Sequence, residues 1–273
     1  MSNYIDAHVH VWTPDRKFPR VQGEQNYPPV SFTPEELFAH SKPCGVNRIV
    51  LIQMSFYGTD NTYMLKAIRD HAGVFSGVGI VDAEAPGVVA KMRELKRHGV
   101  RGFRIQPGKS PQTWLETPGM ERMWKCGAEE GLAMCPLLNP DALPAVGRMC
   151  AKHPDTPVVI DHLARIGATG KIVDADVQAL TSLASHKRVH VKVSAFYALG
   201  AKKEPYHDLA PLIRRVYEAY GARRLMWASD CPFQVQGQYT YRASVDLVRE
   251  GLPFLKKEDR EWILTKTAER VFF

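Results

Sequence analysis

Tyr4-Ile5-Asp6-Ala7-His8-Val9-His10 is the first of eight short apolar runs, and their recurrence decides the fold. The others span Arg48 to Gln53, Phe75 to Asp82, Gly99 to Gln106, Leu132 to Asn139, Pro157 to His162, His190 to Phe196 and Leu225 to Asp230. Several are almost continuous in Val, Ile and Leu, the pattern of strands buried on both faces of a parallel sheet. Helix-period segments separate them. One opens Thr33-Pro34-Glu35-Glu36, a capping box with proline in the first turn. Others cover Asn61 to His71, Pro86 to His98, Gly119 to Glu130, Asp141 to Lys152, Asp174 to Ser185, Asp208 to Tyr220 and Tyr241 to Gly251. A last amphipathic helix, Lys257 to Phe272, has no strand after it. Strict alternation without an internal linker predicts an α/β protein, a single (β/α)8 TIM barrel over residues 1–273 with an extra C-terminal helix. A doubly wound sheet would alternate in the same way, but no Gly-x-Gly-x-x-Gly turn follows the first strand and no Walker-type loop is present.

The 273 residues are 45% hydrophobic and 24% charged, which excludes a disordered or collagen-like chain. No apolar run reaches the ~18 residues of a membrane helix. The N-terminus shows no secretory pattern. The five cysteines (44, 126, 135, 150 and 231) contain no Cys-x-x-Cys pair. Reduced thiols in a cytoplasmic protein are therefore expected, not a disulfide framework or zinc ribbon. The net charge of +7 is dispersed in short pairs such as Lys202-Lys203 and Arg223-Arg224. Without a basic stripe this argues against nucleic acid and for a mild pull on small anions. The partner expected is a small-molecule substrate, with homo-oligomerisation left open.

Chemistry concentrates at strand ends. Side chains alternate along a strand, so Asp6, His8 and His10 should share one face, with Ile5, Ala7, Val9 and Val11 under the helices. Two imidazoles about 7 Å apart along a strand can close on one ion or one substrate oxygen. Hydrogen-bonded core histidines would give the same pattern. The eighth run ends Ala228-Ser229-Asp230-Cys231-Pro232, an acid closing a buried strand where an unpaired carboxylate is costly. The sixth ends Ile160-Asp161-His162, with His162 in the phase of Val158 and Ile160 and Asp161 facing the other way. A barrel brings these three ends to one rim. The connection after the first strand, Val11 to Phe32, far exceeds the usual two to six residues. It carries Trp12, Phe18, Arg20, Gln25, Asn26, Tyr27, Pro28 and Pro29 on the face where barrel active sites lie.

Asp6-Ala-His8-Val-His10-Val-Trp12, Val-Ile-Asp161-His162-Leu and Ala-Ser229-Asp230-Cys-Pro232, in that order, resemble the amidohydrolase superfamily. The likeness is to its amidohydrolase-2 branch, which holds lactonases acting on pyrone-dicarboxylate, muconolactone-type and sugar lactones. The ending Thr267-Ala268-Glu269-Arg270-Val271-Phe272 is similar too, with Thr267 where asparagine is usual. The resemblance implies that His8, His10 and His162 hold a metal or the substrate carbonyl, and that Asp230 is the general base. The fourth run offers no lysine or glutamate to bridge two ions, and the fifth no histidine. That leaves one divalent metal, most naturally Zn²⁺ on His8, His10, His162 and Asp230, or metal-free catalysis.

Arg104 has the phase to enter the barrel with Gly102 and Gln106, where a guanidinium suits a substrate carboxylate. Arg165 offers a second clamp. Lys192 and Ser194 share a face of the seventh strand, and Gln53, Phe56, Tyr57 and Tyr197 follow strand ends where they would shape the pocket. The function expected is a hydrolase opening a small, carboxylated lactone or related cyclic ester. The rivals are a metal-dependent decarboxylase of the same superfamily and a catalytically silent barrel.

Overall fold

The computed structural model describes residues 3–21, 27–108 and 110–273; Gln25 and Asn26 of the first connection lie outside them. Eight parallel strands follow one another in chain order around the sheet. They are β1 (Tyr4–Val9), β2 (Val46–Ile52), β3 (Phe75–Gly79), β4 (Val100–Ile105), β5 (Ala133–Pro136), β6 (Val158–Ile160), β7 (Val189–Ser194) and β8 (Leu225–Ala228). Between and after them run α1 (Pro34–Ser41), α2 (Thr62–Asp70), α3 (Val88–Arg97), α4 (Pro118–Glu130), α5 (Leu143–Lys152), α6 (Asp174–Ser182), α7 (Ala210–Tyr220) and α8 (Tyr241–Asp246). The chain ends in α9 (Lys257–Glu261) and α10 (Thr267–Phe272). Helix α1 begins where its sequence signals: Thr33 caps the Glu36 amide, and the Glu36 carboxylate accepts from the Thr33 N–H at 2.6 Å. No helix among the described residues is long and apolar enough to cross a membrane.

Residues just past β8 close the barrel. The Asp230 N–H donates to the His8 carbonyl at 2.9 Å, and the His10 N–H donates to the Cys231 carbonyl at 2.8 Å. The interior holds its own apolar cluster, with Ile5 and Ala7, Val50 and Ile52, Val78, Ala133 and Cys135, Val159, Met226 and Ala228. Side chains from strands on opposite sides can touch only through the middle. Ala268 and Phe272 of α10 complete this cluster, while Thr267 Oγ1 donates to the Ala222 carbonyl and Arg48 pairs with Glu269 near the strand starts. The last helix therefore stoppers the N-terminal mouth, and the cavity lined by the strand-end histidines lies at the other end of the strands.

Two expectations about facing fail. In β1, Ile5 and Ala7 lie inside the barrel, whereas Val9 and Val11 join the outer core. The pairing with β2 slips between Asp6 and Val9, a bulge that reverses the alternation. His8 and His10 consequently face the interior, but Asp6 does not share their face. It turns toward α8, accepting from the Tyr241 hydroxyl at 2.7 Å, the Ser229 N–H at 2.9 Å and the His8 N–H at 3.1 Å. Burial pushes its carboxyl up to about 6, against the pull of these donors. In β6, Val159 is interior and Val158 and Ile160 are exterior, so strand phase turns Asp161 inward and would turn His162 out.

Candidate active site

The chain restores His162 by leaving the strand. His162, Leu163, Ala164 and Arg165 have φ of 53°, 52°, 54° and 58°, four successive left-handed residues that L-amino acids adopt at a cost of roughly 1–2 kcal/mol each. This turn swings the His162 ring back over the barrel mouth, where its Nδ1 meets the Ser194 hydroxyl of β7 at 2.9 Å. Asp230 also sits at positive φ, 67°. Backbone strain of this kind persists where surrounding contacts over-determine it, and both instances flank the same cavity.

Asp230 is the centre of the arrangement. Its Oδ1 lies 3.3 Å from His10 Nε2 and 3.5 Å from His8 Nε2, and its Oδ2 lies 3.8 Å from His162 Nε2. The Tyr197 hydroxyl donates to Oδ2 at 2.7 Å. Burial works against ionisation of Asp230, but the surrounding His162, His10 and His8 rings outweigh it and hold the carboxyl well below the usual carboxylate range. Burial drives the His8 and His162 imidazoles toward the neutral form, with the Lys192 charge adding to the effect at His8. Burial and the charge of Asp230 keep the Tyr197 phenol protonated.

A cavity of about 490 Å³ opens above these groups. His10, His162 and Asp230 line it, as do Arg104, Arg165 and Tyr197. His8 and Lys192 lie beneath it, both fully buried. Gln53 and Tyr57 do not line it. Gln53 Nε2 instead donates to the Asp60 carbonyl at 2.6 Å, and the Tyr57 hydroxyl to the Thr13 carbonyl at 3.2 Å, so both serve the loops. Phe56 packs edge-on against Trp12 in the outer core.

The long first connection contributes Tyr27 to the wall. It is anchored by the paired backbones of Trp12 and Phe32 and by Trp12 Nε1 donating to the Pro29 carbonyl at 2.9 Å. Sequence reasoning gave no role to Lys202 and Phe233, which also line the cavity, nor to Asp161 beneath it. For Asp161 a signal existed, its strand phase with Val159. For Lys202, on an irregular segment after β7, there was none.

Whether these residues suit a metal depends on the ring nitrogens. His8 Nε2, His10 Nε2 and Asp230 Oδ1 cluster closely, with the two imidazole nitrogens 3.2 Å apart. Ligands at roughly 2.0–2.1 Å from one zinc ion would stand about this far apart. His10 is suitably oriented: its Nδ1–H donates to the Ile52 carbonyl at 2.8 Å, leaving Nε2 a lone pair. His8 is not. Its Nδ1 is hydrogen-bonded to Lys192 Nζ at 3.1 Å, while Asp161 Oδ1, 3.3 Å away, lies out of hydrogen-bonding geometry, so a ligating Nε2 would require an N–H on Nδ1 pointing at that ammonium. The donor set as arranged does not fit an ion held by His8.

An amidohydrolase family profile matches residues 5–273. The chain is 31% identical to a 2-pyrone-4,6-dicarboxylate hydrolase of Comamonas testosteroni over 240 residues, 84% of this chain and 76% of that protein. It is 29% identical to an L-fucono-1,5-lactonase of Burkholderia ambifaria over 239 residues, 85% and 81% of the two chains. Among solved structures it is similar to a probable 2-pyrone-4,6-dicarboxylic acid hydrolase of Acinetobacter baumannii with citric acid bound. That match has a TM-score of 0.86 and 25% identity over 99% of each chain. On the strength of a profile spanning nearly every residue and of these relatives, the chain belongs to the amidohydrolase family.

Proposed function

We propose that the protein hydrolyses the ring ester of a small carboxylated lactone, with Asp230 as general base. The observation that carries this reading is one ionised carboxylate, hemmed by three imidazoles, at the base of a cavity whose lining includes Arg104, Arg165 and Lys202. The bound citric acid in the Acinetobacter relative and the pyrone-dicarboxylate activity of the Comamonas relative support an anionic substrate. The fuconolactonase supports ring-ester chemistry. Arg104 suits the carboxylate clamp because Asp161 Oδ2 lies only within 3.8 Å of its Nη2, a loose pairing that leaves guanidinium N–H groups for a substrate.

Asp230 accepts a proton from water as the oxygen adds to the lactone carbonyl carbon. The developing oxyanion sits among the cationic and N–H groups of the cavity. The ring C–O bond then breaks, and the proton held by Asp230 passes to the departing alkoxide, giving a hydroxy acid. Tyr197 holds the carboxylate by one oxygen throughout. No step runs through an ion. A decarboxylase reading has less support, because β5 brings Cys135 and no histidine to the interior. The proposed setting is the cytoplasm, in keeping with five buried, unpaired thiols.

The test is a pH-stat assay over a panel of carboxylated and neutral lactones, with and without chelator. Proton release without CO₂ is expected, at equal rates in both conditions. Asp230→Asn should lower kcat by about 10²–10⁴-fold while far-UV circular dichroism stays unchanged. CO₂ evolution, or full activity in the variant, would overturn the assignment.

A further inference from the structure

Beneath the cavity lies a set of charges that the proposed mechanism does not use. Lys192 of β7 and Asp161 after β6 are both fully buried, with Nζ 2.9 Å from Oδ1. The ionisable side chains facing them include His8 from β1, Arg104 from β4, Cys135 from β5 and His162 from the turn after β6, with the Phe272 ring of α10 on the remaining side. Neither oxygen of Asp161 has a hydrogen-bond partner among the described residues, so it is held by charge, between Lys192 and Arg104, with the neutral-leaning His8 ring 3.3 Å from Oδ1. A buried pair of this kind is weak evidence for stability, since apolar residues of similar volume often serve as well. Its geometry suggests another use.

We infer that Lys192 is a positioning residue that fixes His8 as the Nε2–H tautomer. Two groups approach His8 Nδ1: Asp161 Oδ1 at 3.3 Å, out of hydrogen-bonding geometry, and Lys192 Nζ at 3.1 Å, within it; an ammonium has no acceptor lone pair, so its N–H donates to Nδ1. The ring proton is thereby confined to Nε2. There it faces His10 Nε2 at 3.2 Å and Asp230 Oδ1 at 3.5 Å, both able to accept. The relay is complete at its far end, because His10 spends its own Nδ1–H on the Ile52 carbonyl. Asp161 serves as counter-ion, keeping the Lys192 ammonium aimed at His8, and its second oxygen steadies Arg104. His8 thus steadies Asp230 through an N–H. The same bond denies His8 the lone pair a metal would need.

The tautomer can be read by long-range ¹H–¹⁵N correlation spectra of the ¹⁵N-labelled protein, with His8 assigned by loss of its signals in His8→Gln. Wild type should show the Nε2–H pattern. Lys192→Met should lose it, while Lys192→Gln, whose amide can still donate, should retain it. A wild-type His8 protonated on Nδ1, or a pattern unchanged in Lys192→Met, overturns the inference. Should Lys192→Met not fold, the wild-type and Lys192→Gln spectra still decide. The kinetic arm rests on the lactonase reading: kcat of Lys192→Met should fall about 10–100-fold with KM within about twofold, and Lys192→Gln should recover most of it. Equal loss in Met and Gln variants would overturn the donor role. Absence of any lactone turnover would sink the proposed function while leaving the spectra to decide this one.

Discussion

The two mouths of the barrel are built from the same eight strands and do opposite work. At the N-terminal mouth Phe272 and Ala268 join Ile5, Val50 and Met226 in one apolar cluster that seals the barrel. At the C-terminal mouth the strand ends carry His8, His10, His162, Asp161 and Asp230, all nearly or fully buried. The seal contributes stability through area removed from water. The open end consumes some of it in desolvated charges and left-handed backbone. What the contrast teaches is a division of labour along the strand axis, with one end compensating for the other.

The largest expected effect on stability lies at the seal. Phe272→Ala should cost about 3–5 kcal/mol in chemical denaturation, while kcat of the folded enzyme stays near wild type. A large loss of kcat at unchanged stability would break the division. Next comes His190, at the start of β7, whose Nδ1 lies 3.0 Å from the Arg188 carbonyl and whose Nε2 lies 3.4 Å from Arg270. Burial, helped by the neighbouring Arg270 charge, pushes its imidazole down to about 4. The unfolded chain takes up the proton below about 6.5 and the folded chain only near 4, so stability falls as pH drops through that window. The loss should be on the order of 3 kcal/mol. Asp6, raised to about 6, acts in the opposite direction there, since its folded carboxyl holds a proton that the unfolded one releases. The difference between the stability curves of wild type and His190→Asn isolates the histidine, and parallel curves would remove it as a pH-sensitive element.

The smallest effect sharpens the other end. Arg104→Met should raise KM for a carboxylated lactone by about 10–150-fold, corresponding to a charged hydrogen bond of roughly 1.5–3 kcal/mol, and leave a neutral lactone nearly unaffected. Equal shifts for both would take Arg104 out of the clamp.

Much of the scaffold was legible because it repeats. A strand buried on both faces reads as Val-, Ile- and Leu-rich wherever it occurs, and the Thr33 capping box announces α1 locally. The candidate site was legible in its members and not in their facing. His8, His10, His162 and Asp230 stand at strand ends that any closed barrel brings to one rim. Alternation nevertheless misplaced Asp6 and, taken strictly, admits Asp161 at the expense of His162, because a bulge in β1 and four left-handed residues after β6 each break the two-residue period. Gln53 and Tyr57 followed the right strand but were drawn away by carbonyls of their own loops.

The amino-acid order alone determined the alternation of strands and helices and the polar strand ends, because each is written in neighbouring residues. Only the folded barrel decided that Lys192 meets His8 across 184 positions, that Asp161 lies between two cations, and that Phe272 seals the far mouth. Such contacts depend on closure and on single-residue slips in register, which no local pattern encodes.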